Sequence, residues 1–140
     1  MNGQGHQSKK GQAGRDDELR ELKAKVKVVI DPNQDPDGAE LIAVARKMAE
    51  VCARKNMTTS QIRHLFQEVQ QIRGGEGFLY QVNKLRYKFA YTAGRHREVK
   101  PLQQVAEVAL SEVRDEKNLA RFRDFFEAVV AYHRYLGGRE

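Results

Sequence analysis

The chain of 140 residues has no tryptophan, three prolines and a single cysteine. One thiol, Cys52, closes no internal disulfide, so an apolar core must hold the fold and a reducing cytoplasm is the expected compartment. The four histidines, His6, His64, His96 and His133, are scattered, and none stands at metal-ligand spacing from Cys52. Neither a structural zinc site nor any other metal or cofactor is expected. No apolar run approaches the roughly 20 residues that cross a bilayer. The N-terminus is polar and lacks the apolar stretch of a signal peptide, so no membrane contact is expected.

Catalytic apparatus is equally sparse. Gly74-Gly75-Glu76-Gly77 lacks the Lys-Ser/Thr pair of a P-loop and follows a helical pattern instead of a strand. His64 shares a helix face with Gln67 and Gln71 and reads as solvated. His133 lies on an apolar stripe, where a hydrogen-bonded packing histidine is the ordinary reading. Glu68 and Glu127 have no paired carboxylate at an evident spacing, so neither a two-carboxylate hydrolase nor a metal-dependent nuclease has a constellation. No catalytic residue is predicted.

What the chain does have is positive charge, gathered in one place. Lys and Arg number 25 against 19 Asp and Glu, a net charge of +6. Between Lys84 and Lys100 stand six cations and one acid, Glu98. From residue 36 onward the whole chain carries 18 cations against 13 acids, the same excess of five. A concentrated positive field attracts a polyanion, because each neutralised phosphate releases a condensed counterion.

The segment from Phe78 to Arg95 arranges this charge. At about 100° per residue, Phe78, Val82, Leu85, Phe89 and Ala93 form one narrow apolar face. Tyr80, Lys84, Lys88, Tyr91 and Arg95 fall opposite, three cations with two rings that can lie against sugars or bases. A plain solvated helix face is the competing reading. Arg86 projects beside the apolar stripe, so a salt bridge to a neighbouring helix is its expected role, with Glu127 as the candidate partner.

Periodicity predicts an all-α compact bundle of about five helices over residues 36–140. The first runs from about Ala39 to Arg54. The second opens with Thr58-Thr59-Ser60-Gln61, a capping box. The third starts near Phe78 after a glycine-rich break and ends at Gly94, expected as a left-handed C-cap. Pro101 suits the first turn of the fourth. The fifth, Leu119 to Leu136, has the densest apolar stripe and stops at Gly137 and Gly138. Residues 1–35 are expected to be a flexible N-terminal segment and linker, the first 18 having almost nothing to bury. Leu19 to Ile30 alternates apolar residues with Lys23, Lys25 and Lys27, which is strand-like, yet no partner strand exists, so it stays unassigned. Asp31 to Gly38 is a turn-rich linker.

Three motifs, in order, are Thr59-Ser60-Gln61-Ile62-Arg63, then Leu85-Arg86-Tyr87-Lys88-Phe89-Ala90-Tyr91-Thr92-Ala93-Gly94-Arg95, then Phe122-Arg123-Asp124-Phe125-Phe126-Glu127-Ala128-Val129-Val130-Ala131-Tyr132-His133. Together they resemble the small subunit of type III-A CRISPR Csm effector complexes, over about residues 39 to 138. The resemblance implies a non-catalytic helical subunit of an antiviral ribonucleoprotein, stacked with other copies of itself beside the repeating backbone subunits and the large subunit, lining guide RNA and its complementary target RNA. Carried onto this chain, the implied RNA contacts are Arg63, Lys84, Lys88, Arg95 and Arg97, and Tyr91 joins them from the reading of the helix face. A stand-alone helical nucleic-acid-binding regulator and a basic protein–protein adaptor are the alternatives. A recognition helix usually presents Asn, Gln, Arg or Ser to base edges, whereas this face offers Lys and Tyr.

Overall fold

The computed structural model describes residues 2–138, with side chains from Gly14 onward. Among these residues there are six α-helices: α1 (Asn2–Ile30), α2 (Ala39–Arg54), α3 (Thr59–Gln70), α4 (Phe78–Arg95), α5 (Lys100–Ser111) and α6 (Glu116–Tyr135). A 3-10 turn, Arg97–Val99, leads from α4 into α5. Helix α6 is the spine, against which α2, α3 and α1 pack, while α5 bridges α1 and α4.

The all-α expectation holds, with one helix more than periodicity gave. Helix α1 buries Leu22, Val26, Val29 and Ile30, which recur at helical spacing. The alternation over Val26, Val28 and Ile30 suggested a strand, but Val28 is only half-buried and the segment packs as a helix on α2, α5 and α6. Residues 14–30 therefore belong to the folded body, and the flexible segment expected to reach residue 35 does not extend through them. The flexibility expected of residues 1–13 concerns side chains outside those described.

The linker is an ordered clamp as well as a run of turns. Asp35 is 3% exposed. Its Oδ1 accepts from the Glu40 N–H at 3.0 Å and its Oδ2 from the Leu41 N–H at 2.9 Å, capping α2 where Gly38 has no side chain to do so. Arg121 on α6 completes the clamp. Its guanidinium bonds Asp35 Oδ2 at 2.7 Å, the Asp35 carbonyl at 2.6 Å and the Val29 carbonyl at 2.9 Å. Asn118 Nδ2 donates to the Ile30 carbonyl at 3.0 Å. The last two carbonyls of α1, those of Val29 and Ile30, which have no partner within the helix, are thus satisfied from α6.

Local signals set most helix ends. Thr58 Oγ1 accepts from Gln61 N–H at 3.0 Å while Gln61 Oε1 accepts from Thr58 N–H at 2.9 Å, the expected capping box. Helix α6 begins earlier than the apolar stripe, because Asp115 and Asn118 form a second box with Asn in place of Glu or Gln. Pro101 lies in the first turn of α5. The expectation for Gly94 fails: α4 runs through it to Arg95, and Gly94 has no positive φ. Extended His96, φ −132°, makes the bend instead, and the 3-10 turn carries the chain straight into α5. Gly137 (φ 78°) ends α6 in the left-handed form.

Phe126, fully buried, centres the aromatic core. Its ring lies 6.0 Å from Phe66, 5.7 Å from Phe89 and 6.1 Å from Phe122. Replacing Phe126 with Ala removes partners for three rings at once and is expected to destabilise the fold by about 3–5 kcal/mol in urea melts. A variant melting like wild type would mean the α6 stripe is not the core.

His133 is a packing residue, as its place on the stripe suggested. It is 1% exposed, and its Nε2 lies 3.0 Å from the Met57 carbonyl, an oxygen that can only accept, so Nε2 carries the proton. Gly138 lies against the ring so closely that an added Cβ would come within 2.1 Å of it. Burial lowers the imidazole pKa below 6.5, partly offset by the Met57 bond. Protonation thus favours the unfolded chain. This contribution to stability is whole above the unfolded value of 6.5 and is lost as pH falls below it. Melting temperature should drop between about pH 7.5 and 5.5 more steeply in wild type than in His133→Gln. Equal slopes would acquit His133.

Candidate nucleic-acid interface

Helix α4 owes its orientation to Val82, Leu85, Phe89 and Ala93, all buried, which turn the opposite face outward. Tyr80 is 68% and Tyr91 67% exposed. An ammonium or guanidinium sits over each ring: Lys84 Nζ lies 5.7 Å from the Tyr80 centroid and Arg95 Cζ 6.0 Å from that of Tyr91. The i, i+4 spacing of both pairs places cation and ring together on a helix. Lys88, one turn from each group, bonds Glu68 on α3 at 3.2 Å. Among the described residues, Lys84, Arg95, Arg63 and Arg97 have no carboxylate partner. Their charge is uncompensated locally, whereas a phosphate approaching Lys88 competes with Glu68.

Two surface grooves extend the face onto α3. Lys88, Tyr91, Thr92, Arg95 and His96 line one, together with His64, Leu65 and Glu68. His64 also lines the second, with Thr59, Ser60, Arg63 and Gln67 at the start of α3. Arg63 therefore joins the surface through His64, which is solvated as expected. Four of the six sequence-predicted residues, Lys84, Lys88, Tyr91 and Arg95, share the outer face of α4. Arg97 is exposed on the 3-10 turn beyond the His96 bend and lines neither groove.

Sequence reasoning missed three contributors. His64 and His96 meet only because α3 and α4 pack side by side, and no spacing along the chain announces that. Tyr87 was legible: it is 60% exposed and, by the same rotation of about 100° per residue, lies within about 40° of Tyr80 and Tyr91. Arg86 stands apart, as expected, but its partner is Glu107 on α5, not Glu127. Its Nε lies 2.9 Å from Glu107 Oε1, and a second guanidinium nitrogen contacts the same oxygen. The bond holds the Arg86 pKa above its usual range. Glu127 is exposed on α6, while α5 is the helix that runs beside α4.

The family model of Csm2 Type III-A matches residues 35–139, the whole span from the Asp35 clamp through α6. The chain belongs to the Csm2 Type III-A family. It is similar to the "CRISPR system Cms protein Csm2" of Streptococcus thermophilus, at 37% identity over 92 residues, covering 60% of this chain and 76% of that protein. No solved structure matches. The resemblance carried by the three motifs is thus correct: this is a small subunit of a type III-A CRISPR Csm complex. The matched span begins at Asp35, so the Csm2 match holds α2 to α6 and leaves out α1. Among the described residues no helix is long and apolar enough to cross a membrane.

Proposed function

We propose that this Csm2 chain is a non-catalytic RNA-binding subunit that lies along the guide RNA and its complementary target RNA, acting in the cytoplasm as part of antiviral defence. Lys84, Arg95, Arg63 and Arg97 contact phosphates, Lys88 does so by exchanging Glu68, and Tyr91 lies against sugar or base. The repeating backbone subunits, the large subunit and other copies of this chain are its neighbours in the complex. The observation that carries this reading is the outer face of α4, where Lys84 and Arg95 have no carboxylate partner among the described residues and Lys88 has only the partly exposed Glu68, in a chain of this family. Phosphate contacts position without reading sequence.

Filter binding with unrelated single-stranded RNAs and with a guide–target duplex tests the reading. Affinity is expected to be independent of sequence at constant salt. It should fall with log[salt] at a slope of about −2 to −4, as for three to five neutralised phosphates. A strong preference for one sequence, or a flat salt dependence, would overturn backbone reading.

A further inference from the structure

The outer face of α4 carries more aromatic surface than phosphate contact requires. Three of the chain's five tyrosines, Tyr80, Tyr87 and Tyr91, stand on it in one line, each at least 60% exposed. Along the axis they extend over about 16 Å, with Tyr87 and Tyr91 about 6 Å apart. Lys84 and Arg95 lie over the outer two rings, and no cation or ring lies over Tyr87 among the described residues. Exposed rings cost solvation, and a surface that only reads phosphates has no use for them. In duplex RNA the bases are stacked on one another and present no free ring face. In an unpaired strand each base does, and stacking on an aromatic side chain is tolerant of sequence.

We propose that Tyr80, Tyr87 and Tyr91 form a stacking platform for the unpaired bases of single-stranded RNA, so that this face holds unpaired RNA more tightly than duplex RNA of equal length. The proposal rests on the RNA-binding reading above and names the form of RNA this face takes. Charge complementarity favours RNA over a protein as the occupant: a strand supplies a base for each ring and a phosphate for each of Lys84, Lys88 and Arg95. A protein covering the rings would have to set a carboxylate against each of Lys84 and Arg95 as well as an apolar surface against each ring.

The absence of tryptophan supplies a direct readout, since intrinsic emission comes from tyrosine alone. The full chain is titrated at low salt with a single-stranded RNA, an abasic ribose-phosphate strand of the same length, and a blunt RNA duplex of that length. Tyrosine emission should be quenched by the first and little changed by the others. The triple variant Tyr80→Leu, Tyr87→Leu, Tyr91→Leu should lose about a hundredfold in affinity for the single strand and less than about threefold for the duplex. The corresponding triple Phe variant should keep wild-type binding, because stacking needs the ring and not the hydroxyl. Equal loss on both RNAs, or no loss, would overturn the platform and leave phosphate reading intact. Wild-type protein that binds none of the three would sink both readings. A triple Leu variant with normal RNA affinity that fails to enter a reconstituted complex would assign the stripe to a protein contact.

Discussion

Changing Lys84, Lys88 and Arg95 together to Glu is expected to cut RNA affinity by roughly a thousandfold or more, since each charge-assisted contact is worth about 1.5–3 kcal/mol and each reversal adds repulsion. The same variant should melt within about 1 kcal/mol of wild type. All three side chains leave the core untouched, and the one ion pair among them, Lys88 with Glu68, is partly exposed. Arg86→Glu should do the opposite. It places a carboxylate against Glu107 between α4 and α5, and the expected cost is about 1–2 kcal/mol with RNA binding preserved. Anisotropy with labelled RNA and urea melts of the free subunit, run on both variants, read the two quantities separately. A triple variant that unfolds early, beside an Arg86→Glu that folds but releases RNA, would mean that α4 is rotated and its RNA-facing residues are others.

Asp35→Ala is expected to destabilise the subunit by about 3–5 kcal/mol, the usual result of leaving a buried charge without its partner. Arg121 has a side chain only 15% exposed and would lose the carboxylate that neutralises it. Helix α2 would lose the two bonds that close its N-terminus as well. Arg121→Met should cost a comparable amount, and the double variant should cost clearly less than the two singles added, because they remove one shared interaction. Urea melts of the three variants give the coupling directly. Additive effects, or a loss under about 1 kcal/mol for Asp35→Ala, would show that the clamp is not what fastens α1 and the linker to α6.

The clamp also explains why the N-terminal boundary was misread. Nothing around Asp31-Pro32-Asn33-Gln34-Asp35-Pro36-Asp37-Gly38 distinguishes a solvated turn from a buried one until Arg121, 86 residues later, is brought against it. Leu22, Val26, Val29 and Ile30 carried the helical period, but alternating lysines overlaid a period of two, and a single amphipathic segment cannot say which pattern will find a surface to cover. Helix α2 and the start of α3 were legible almost to the residue, since apolar periodicity and a capping box act within a few positions; α3 stops at Gln70, short of the glycines expected to break it. The start of α6 was legible only in part, because its box uses Asn118. Gly94 misled for the same reason in reverse: glycine permits a left-handed end but does not require one.

For the candidate interface, the sequence alone determined that the cations and tyrosines of α4 share one face and that this face opposes the core. Rotation along a helix is local geometry, set by the backbone and needing no partner. It also determined that Arg86 would seek a carboxylate, because a cation beside an apolar stripe must be compensated. Which carboxylate it finds, Glu107, was decided by tertiary structure. So were the pairing of Lys88 with Glu68 and the meeting of Arg63, His64 and His96 around adjoining grooves. Each of these depends on which helices lie side by side, and that choice is made by the fit of whole apolar faces, a property of the assembled core and of no segment within it.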